Sequence, residues 1–121
     1  MMTGCTELHI SPLGDQALLL EPGEGFSPDQ ADDCLVVVQE AMQRTSARWL
    51  IFDLTRVVLI DRAYHEWLLR LHRLARLQHA GMLVAGMRPA VAWTLVQMLD
   101  EEPPYRSLRD IDEALQFIRG G

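Results

Sequence analysis

The sequence predicts a layered α/β protein with a mixed sheet of about four to five strands and about four helices. Short apolar runs alternate with longer segments whose apolar residues recur at helical spacing. These segments follow one another in the order β-β-α-β-α-β-α-β-α. The stretch from Arg48 to Pro89 has the pattern of strand, helix and strand, which is typical of a right-handed crossover between parallel strands.

The composition is that of a soluble globular protein, and the length predicts a single domain over residues 1–121. Hydrophobic residues make up 49% of the chain and charged residues 23%, and no apolar run is long enough to span a membrane. Met1 is not followed by the basic segment and apolar core of a signal peptide, so we expect a cytoplasmic location. The net charge of −6 disfavours nucleic acid as a partner, because a phosphate-binding surface needs a basic field.

The basic residues and the cysteines exclude several kinds of chemistry. All 11 basic residues are arginine, so the chain has no P-loop lysine, no Schiff-base lysine and no lysine general base. Cys5 and Cys34 lie far apart and outside any CxxC pattern. We therefore expect both thiols to be reduced and neither to hold zinc.

The N-terminal segment is predicted to form a β-hairpin. Residues 1–4 are expected to be frayed, and the two strands are expected at 6–10 and 16–21. The turn between them is predicted at 12–15, which contains proline, glycine and aspartate. The leucines at 18–20 predict that the second strand is buried on both faces.

A helix-start pattern follows this hairpin. Ser27 is placed as an N-cap, Pro28 as the first helical residue and Gln30 as the partner in a capping box. The helix is expected to continue to about Arg44. Its apolar stripe consists of Ala31, Cys34, Leu35, Val38, Ala41 and Met42.

The central unit is predicted to contain a strand at 49–54, a helix at 61–79 and a strand at 82–87. On a helical wheel one side of the helix is apolar and must face the sheet. That side holds Tyr64, Trp67, Leu68, Leu71, Leu74 and Ala75. The opposite side holds Arg62, His65, Glu66, Leu69, Arg73 and Arg76, among which Leu69 is the one residue that a solvated face does not need.

The remaining segment predicts a helix, a very short strand and a last helix. The first helix begins at Pro89 and stops at 101–104, with Trp93 pointing outward. Its inward residues are Val91, Ala92, Leu95, Met98 and Leu99. The short strand is expected at 105–106, and residues 107–110 are expected to cap the last helix. The inward residues of this last segment are Leu108, Ile111, Ala114, Leu115 and Ile118.

No catalytic or metal site stands out in the sequence. Three histidines, His65, His72 and His79, recur every seven residues, which is about 10.5 Å of helical rise, so they cannot share one metal ion and are expected to form a solvated stripe. Asp53 and Asp61 lie where α/β folds place reactive groups, but a phosphoryl-accepting aspartate would need a lysine. The four serines lie outside any GxSxG pattern. We therefore predict no enzymatic activity and no cofactor.

The order of several short motifs resembles that of the STAS domain, the fold of anti-sigma-factor antagonists. These motifs are Asp53-Leu-Thr55, Ile60-Asp61 opening a helix, Gly81 leading into a strand, Gly86-Met-Arg-Pro89 at the end of that strand, and Thr94-Leu-Val96. The chain is most similar to the serine-regulated scaffold proteins of bacterial stressosomes. The resemblance covers residues 8–118 in element order and is sharpest over 50–96.

This resemblance implies a non-enzymatic regulator of a partner-switching or stressosome-like system, acting in stress response and transcription regulation. The implied partners are an anti-sigma-factor-type serine kinase or other STAS proteins, in homo- or hetero-oligomers. In such proteins a partner kinase phosphorylates the hydroxyl residue that follows the aspartate at the start of the helix. Here that pair is Asp61-Arg62, so the aspartate is present and can cap the helix, but the hydroxyl is missing. Thr55 lies in the preceding motif, which is not the usual acceptor, and the role is not transferred to it.

The predicted partner-binding surface is the turn at Asp61 and its helix. Its residues are Asp61, Arg62, His65, Glu66, Leu69 and Arg73. Self-association is also expected, because Leu69 and Trp93 point outward on the helical wheels. The alternative is an anion or small-molecule sensor that holds its ligand at the helix N-terminus formed by Asp61 and Arg62.

Overall fold

Within residues 5–120, which the computed structural model describes, five strands and four α-helices follow one another in the predicted order. The predicted α/β class with a mixed sheet is therefore confirmed. The frayed start predicted for residues 1–4 lies outside the described residues. The elements are β1 (Leu8–Leu13), β2 (Ala17–Pro22), α1 (Asp32–Thr45), β3 (Trp49–Asp53), α2 (Arg62–Leu77), β4 (Gly81–Ala85), α3 (Pro89–Met98), β5 (Arg106–Leu108) and α4 (Ile111–Gly120).

The sheet has the strand order β1-β2-β3-β4-β5. β1 pairs with β2 in antiparallel orientation, and every later pair is parallel. Leu18, Leu19 and Leu20 in β2 are all buried, as predicted for a strand covered on both faces. Because β3 and β4 are parallel, their C-terminal ends lie at the same edge of the sheet, and α2 and α3 begin near this edge.

Helices cover both faces of the sheet, with α1, α2 and α3 on one face and α4 on the other. The alternation of side chains along a strand produces this division. In β3, Leu50 and Phe52 face the three helices, whereas Ile51 faces α4. None of the helices within residues 5–120 has the length and apolar character needed to cross a lipid bilayer.

Trp67 fixes α2 against the start of α1. Its side chain is fully buried, and its indole Nε1 donates a hydrogen bond of 3.0 Å to the backbone oxygen of Ala31. Its ring meets Phe26 edge-on with the centroids 5.1 Å apart, and it meets Phe52 in the same way at 5.8 Å. Because the indole is both packed and hydrogen-bonded, it defines the position of α2 on the sheet.

The boundaries of the hairpin differ from those predicted. β1 extends through Pro12 and Leu13, which the sequence places in the turn, and Pro12 lies opposite Leu18. A proline is tolerated there because β1 is an edge strand that need not donate every ladder hydrogen bond. The chain reverses at Gly14, whose φ of 68° favours glycine.

The helix start predicted at Ser27 is wrong. Residues Pro28–Gln30 form a short 3₁₀ turn, and α1 begins only at Asp32. The Ser27 hydroxyl hydrogen-bonds to the Asp29 carboxylate and makes no cap to a backbone N–H. The apolar stripe is nevertheless inward, because helical periodicity does not depend on the exact first residue.

The cap of the last helix lies within the predicted segment 107–110, but only at its final residue. Ser107 and Leu108 lie in β5 and not at the start of α4. Asp110, the last residue of the predicted segment, caps the helix, because its Oδ1 accepts a hydrogen bond of 2.8 Å from the backbone N–H of Glu113. The Glu113 carboxylate in turn accepts a hydrogen bond of 2.7 Å from the backbone N–H of Arg109.

Cys5 and Cys34 form a disulfide, which contradicts the expectation that both are reduced. The hairpin brings Cys5, just before β1, beside the first turn of α1, where the two Cα atoms are 4.8 Å apart. That separation lies within the range that a disulfide spans. A cross-link over 29 residues is worth about 3–4 kcal/mol when it acts by restricting the unfolded chain. Spacing in the sequence could not reveal this proximity.

Candidate functional site

The candidate site lies at the edge of the sheet where β3 and β4 end. Two connecting segments meet there, the β3–α2 loop (residues 54–61) and the β4–α3 turn (residues 86–88). The backbone N–H of Leu54 donates to the oxygen of Ala85 at 2.8 Å. The Arg88 Nε donates to the backbone oxygen of Thr55 at 3.1 Å. These contacts hold the two segments side by side.

Asp53 and Thr55 build the first turn of the loop. The Oδ1 atom of Asp53 accepts hydrogen bonds from the backbone N–H of Thr55 at 2.9 Å and from its hydroxyl at 2.6 Å. Gly86 packs directly against this turn, since a Cβ atom there would lie 2.3 Å from the Thr55 hydroxyl oxygen. The φ of 78° at Gly86 also disfavours any other residue. Gly86 is therefore required for the close approach of the two segments.

Asp61 ends the loop and caps α2. Its Oδ1 atom accepts a hydrogen bond of 2.9 Å from the backbone N–H of Tyr64. This is the N-cap role that the sequence allows, and it makes Arg62 the first residue of the helix, with its side chain exposed. Because Asp53 caps its own turn, both carboxylates at this edge hold the backbone in place.

Three arginines lie at this edge of an acidic chain, beside the carboxylates of Asp53 and Asp61. Within residues 5–120, the ion pairs involve Arg70 and Arg109, and neither Arg56 nor Arg62 takes part in one. Both of these side chains are exposed. Arg88 adds a third guanidinium, which is held against the Thr55 carbonyl. A ligand at this edge therefore meets two exposed guanidinium groups, those of Arg56 and Arg62, that form no ion pair among the described residues.

Two exposed apolar residues at the tip of the loop were missed by the sequence reasoning. Val58 is 70% exposed and Leu59 is 62% exposed, whereas Ile60 beside them is buried. Val57 packs partly against the core. The available signal was four apolar residues in a row within a predicted loop, where a polar connection is the usual pattern. Only the fold shows which two of them point to solvent.

The structure does not bring the six predicted partner-binding residues together. Asp61, Arg62, Glu66 and Arg73 are exposed, but Arg73 lies about 16 Å along the helix axis from Arg62. The prediction that Leu69 projects outward is wrong, because this side chain is half-buried and packs against the core. The candidate site is therefore limited to the first turn of α2 and the loop before it.

His65 is also buried, which contradicts its assignment to a solvated stripe. The segment that leads into β5 covers this side of α2, and the Tyr105 hydroxyl lies 3.4 Å from the Nδ1 atom of His65. His72 is half-buried, and its Nδ1 atom is enclosed with no hydrogen-bond partner among the described residues. Of the predicted stripe, only His79 is exposed. Within residues 5–120, no three His, Cys, Asp or Glu side chains lie close enough together to hold a metal ion.

Burial lowers the pKa of both enclosed histidines. For His65 the nearby Glu66 carboxylate opposes this effect and the Arg62 guanidinium adds to it. For His72 the guanidinium groups of Arg76 and Arg73 both lower the pKa further. Burial also raises the pKa of Tyr105 to about 12, so its hydroxyl stays protonated beside His65 at neutral pH. In the folded protein both imidazoles therefore have pKa values below that of an exposed histidine.

These lowered pKa values predict a loss of stability in mild acid. The unfolded chain takes up protons on these histidines once the pH falls below about 6.5, before the folded protein does. The contribution of the two neutral histidines to the free energy of unfolding is therefore complete above this pH. It is lost as the pH falls from there through the lower pKa values of the folded state. Urea unfolding followed by circular dichroism should show a falling midpoint between pH 7 and pH 5.

Paired variants provide the control for this pH effect. His65→Gln with His72→Gln should flatten the pH dependence, although the starting stability will be lower. His79→Gln changes an exposed imidazole two residues beyond the end of α2 and should leave the pH dependence as in the wild type. A double variant with an unchanged pH profile would assign the effect to other groups.

Neither known protein families nor curated proteins match the chain by sequence. Solved structures match it in fold. A substituted form of RsbS from Moorella thermoacetica has a TM-score of 0.71 at 18% identity, covering 95% of this chain and 97% of that chain. A structure described as the molecular architecture of the stressosome, a signal integration and transduction hub, has a TM-score of 0.68 at 18% identity, with 93% and 96% covered.

A third match is the anti-sigma factor antagonist SpoIIAA in its unphosphorylated form. It has a TM-score of 0.70 at 11% identity and covers 94% of this chain and 97% of that chain. The TM-scores establish the shared fold. At identities this low the activity does not follow from the match and has to be argued from the site. The chain has the fold of the STAS domain, as the order of its sequence motifs predicts.

Proposed function

We propose that this chain is a non-enzymatic STAS regulator that binds a protein partner through the edge where β3 and β4 end. The observation that carries the proposal is the exposed pair Val58 and Leu59 beside arginines that lack ion-pair partners among the described residues. The proteins that share the fold support it, since they are named as an anti-sigma factor antagonist and as part of a stressosome. The proposal treats residues 1–121 as one domain in the cytoplasm.

The chemistry of this edge defines what a partner must offer. Val58 and Leu59 form an apolar protrusion, and burying two such side chains is worth about 1.5–3 kcal/mol each. Arg56 and Arg62 flank the protrusion in the chain and favour an acidic surface around it. The partner therefore needs an apolar pocket with a carboxylate-rich rim. We propose an anti-sigma-factor-type serine kinase or another STAS protein in this role, in a stress-response pathway that controls transcription.

Arg62 makes this regulator different from a phosphorylated switch. It occupies the first position of α2, where the STAS resemblance implies a hydroxyl residue. A guanidinium cannot accept a phosphoryl group from a serine kinase, and its charge is opposite to that of a phosphoserine. The proposed role is thus that of a constitutive binder or a structural subunit beside homologues that are switched.

The alternative of an anion sensor at the start of α2 has weaker support. An anion at a helix N-terminus binds the free N–H groups of the first turn. Here the Asp61 carboxylate already accepts from the backbone N–H of Tyr64 and places a negative charge at this end. An anion would have to compete with that carboxylate. A ligand that co-purifies with the protein and is lost in Arg62→Ala would favour the sensor.

A binding experiment tests the proposed function. The tagged wild type and Val58→Asp with Leu59→Asp are used to capture partners from the source cell. Captured proteins are identified by mass spectrometry and remeasured by calorimetry with purified components. Loss of two anchors of about 1–2 kcal/mol each predicts a dissociation constant that is at least about 30-fold higher for the double variant.

The matched control for this experiment is Val36→Asp. Val36 lies on α1 and is 52% exposed, so this change also replaces an exposed valine with an aspartate, but away from the loop. It should bind like the wild type. If the loop variant and this control bind the partner equally well, the partner does not use the β3–α2 loop and the proposal fails.

A further inference from the structure

A groove of about 850 Å³ lies between α3 and the segment that connects it to β5. Its lining includes Met87, Leu95, Val96, Leu99 and Tyr105, which make much of it apolar, and Asp100, Glu101 and Glu102, which are exposed. Trp93 and Val96 lie one turn apart on α3 and are 66% and 70% exposed. Both the groove and its apolar border are therefore open to solvent.

The cation that lines the groove among the described residues is Arg106, and its guanidinium lies over the Phe117 ring, 4.8 Å from the ring centroid. Within residues 5–120, the ion pairs use Asp32, Asp110 and Glu113, and none of the three groove carboxylates takes part. Three consecutive acidic residues repel one another, and this repulsion is relieved when cations approach. The surface that fits this groove must therefore combine an apolar group with positive charge.

The C-terminal half of α2 has this combination. Arg73, Arg76 and Leu77 lie at positions i, i+3 and i+4, so they share one side of the helix. Leu77 is 80% exposed, and neither arginine forms an ion pair within the described chain. These three residues, named here the α2 patch, present an apolar side chain next to two guanidinium groups.

We propose that copies of this chain assemble head to tail, with the α2 patch of one copy seated in the α3 groove of the next. In this arrangement Leu77 contacts the apolar lining near Trp93 and Val96, and the arginines pair with Asp100, Glu101 and Glu102. The two surfaces belong to different elements of the fold, so the contact is heterologous. Each added copy leaves one groove and one patch free, and growth continues until a ring closes.

This assembly uses residues outside the β3–α2 loop. Val58, Leu59 and Arg62 belong to neither surface, so a copy in the assembly still carries its partner-binding loop. Self-assembly and partner binding can therefore be tested with different variants, and the loss of one does not require the loss of the other.

The test measures sedimentation velocity of the purified full chain over a range of concentrations. The patch variant is Arg76→Glu with Leu77→Glu, and the groove variant is Trp93→Glu with Val96→Glu. All four positions are exposed, and circular dichroism verifies that both variants fold. The wild type should form species larger than a dimer as its concentration rises. Each variant alone should remain monomeric, because each retains only one working surface.

Mixing the two variants distinguishes a head-to-tail contact from a symmetric one. The patch variant retains its groove and the groove variant retains its patch, so an equal mixture should form a dimer and grow no further. The control variant Val36→Glu changes an exposed side chain of α1 and should assemble like the wild type. A wild type that stays monomeric at every concentration, variants that assemble unchanged, or a mixture that stays monomeric would each overturn the inference. If a variant fails to fold, the charges of the two surfaces are exchanged in its place. Arg73→Glu alone should weaken assembly, and adding Glu101→Arg to the same chain should restore it.

Discussion

Replacing Trp67 with alanine is expected to lower the free energy of unfolding by about 3–5 kcal/mol. The indole is fully buried and meets Phe26 and Phe52 edge-on. Its Nε1–H also satisfies the backbone oxygen of Ala31, so alanine removes packing and leaves this buried carbonyl without its side-chain donor. Chemical unfolding monitored by circular dichroism measures the loss directly.

Trp93→Ala is the matched control, because it makes the same chemical change on an exposed side chain. Its effect on the free energy of unfolding of the monomer should stay within about 0.5 kcal/mol. Trp67→Phe should fall between the two, since phenylalanine keeps an aromatic ring in the core but cannot donate to Ala31. Equal losses for Trp67→Ala and Trp93→Ala would mean that α2 is not held by the indole.

The order of elements could be predicted because it rests on local periodicity. Tyr64, Trp67 and Leu71 recur at helical spacing, and each is buried in the structure. Leu50, Ile51 and Phe52 form an uninterrupted apolar run, which a strand covered on both faces requires. These patterns depend on residues within one element, so the sequence contains them in full.

Burial that depends on a neighbouring segment could not be predicted in this way. A helical wheel assigns His65 and Leu69 to the outer side of α2, because it describes one helix in isolation. The segment that contains Tyr105 reaches this side of the helix and encloses His65. The disulfide is a similar case, since Cys5 and Cys34 meet only after the hairpin and α1 have packed together.

The candidate site likewise contains local contacts, which could be predicted, and long-range contacts, which could not. Asp61 could be assigned as a cap because its partner, Tyr64, is three residues away. The contacts of Thr55 with Gly86 and Arg88 join residues more than 30 positions apart and emerge only from the parallel pairing of β3 and β4. The exposure of Val58 and Leu59 follows from how the loop crosses this edge, which no spacing rule contains.

Arg62→Ser is expected to convert the proposed constitutive binder into a phosphorylation-dependent one. The substitution places a hydroxyl on the first residue of α2, directly after the Asp61 cap. Incubation with ATP and the proposed partner kinase should then add phosphate at position 62 of the variant and none at position 62 of the wild type. Phosphopeptide mass spectrometry identifies the modified residue.

Phosphorylation of the variant should also change partner binding. The wild-type arginine favours an acidic partner, whereas a phosphate brings about two negative charges to the same position. The helix dipole favours that phosphate by about 0.3–1 kcal/mol, whereas the neighbouring Asp61 carboxylate repels it, and in either case the charge lies at the surface that the partner must approach. Partner capture by Arg62→Ser should therefore become sensitive to ATP, while capture by the wild type should not.

Arg56→Ser is the matched control, because it removes an exposed arginine and adds a hydroxyl within the same loop but away from the helix start. It should remain unphosphorylated at position 56, and its partner capture should not respond to ATP. Phosphorylation of the wild type at Thr55 with loss of its partner would give the opposite conclusion. The hydroxyl of Thr55 is held by Asp53 and packed beside Gly86, so modification there would require both contacts to open. We therefore expect the phosphate to appear only where Arg62 has been replaced.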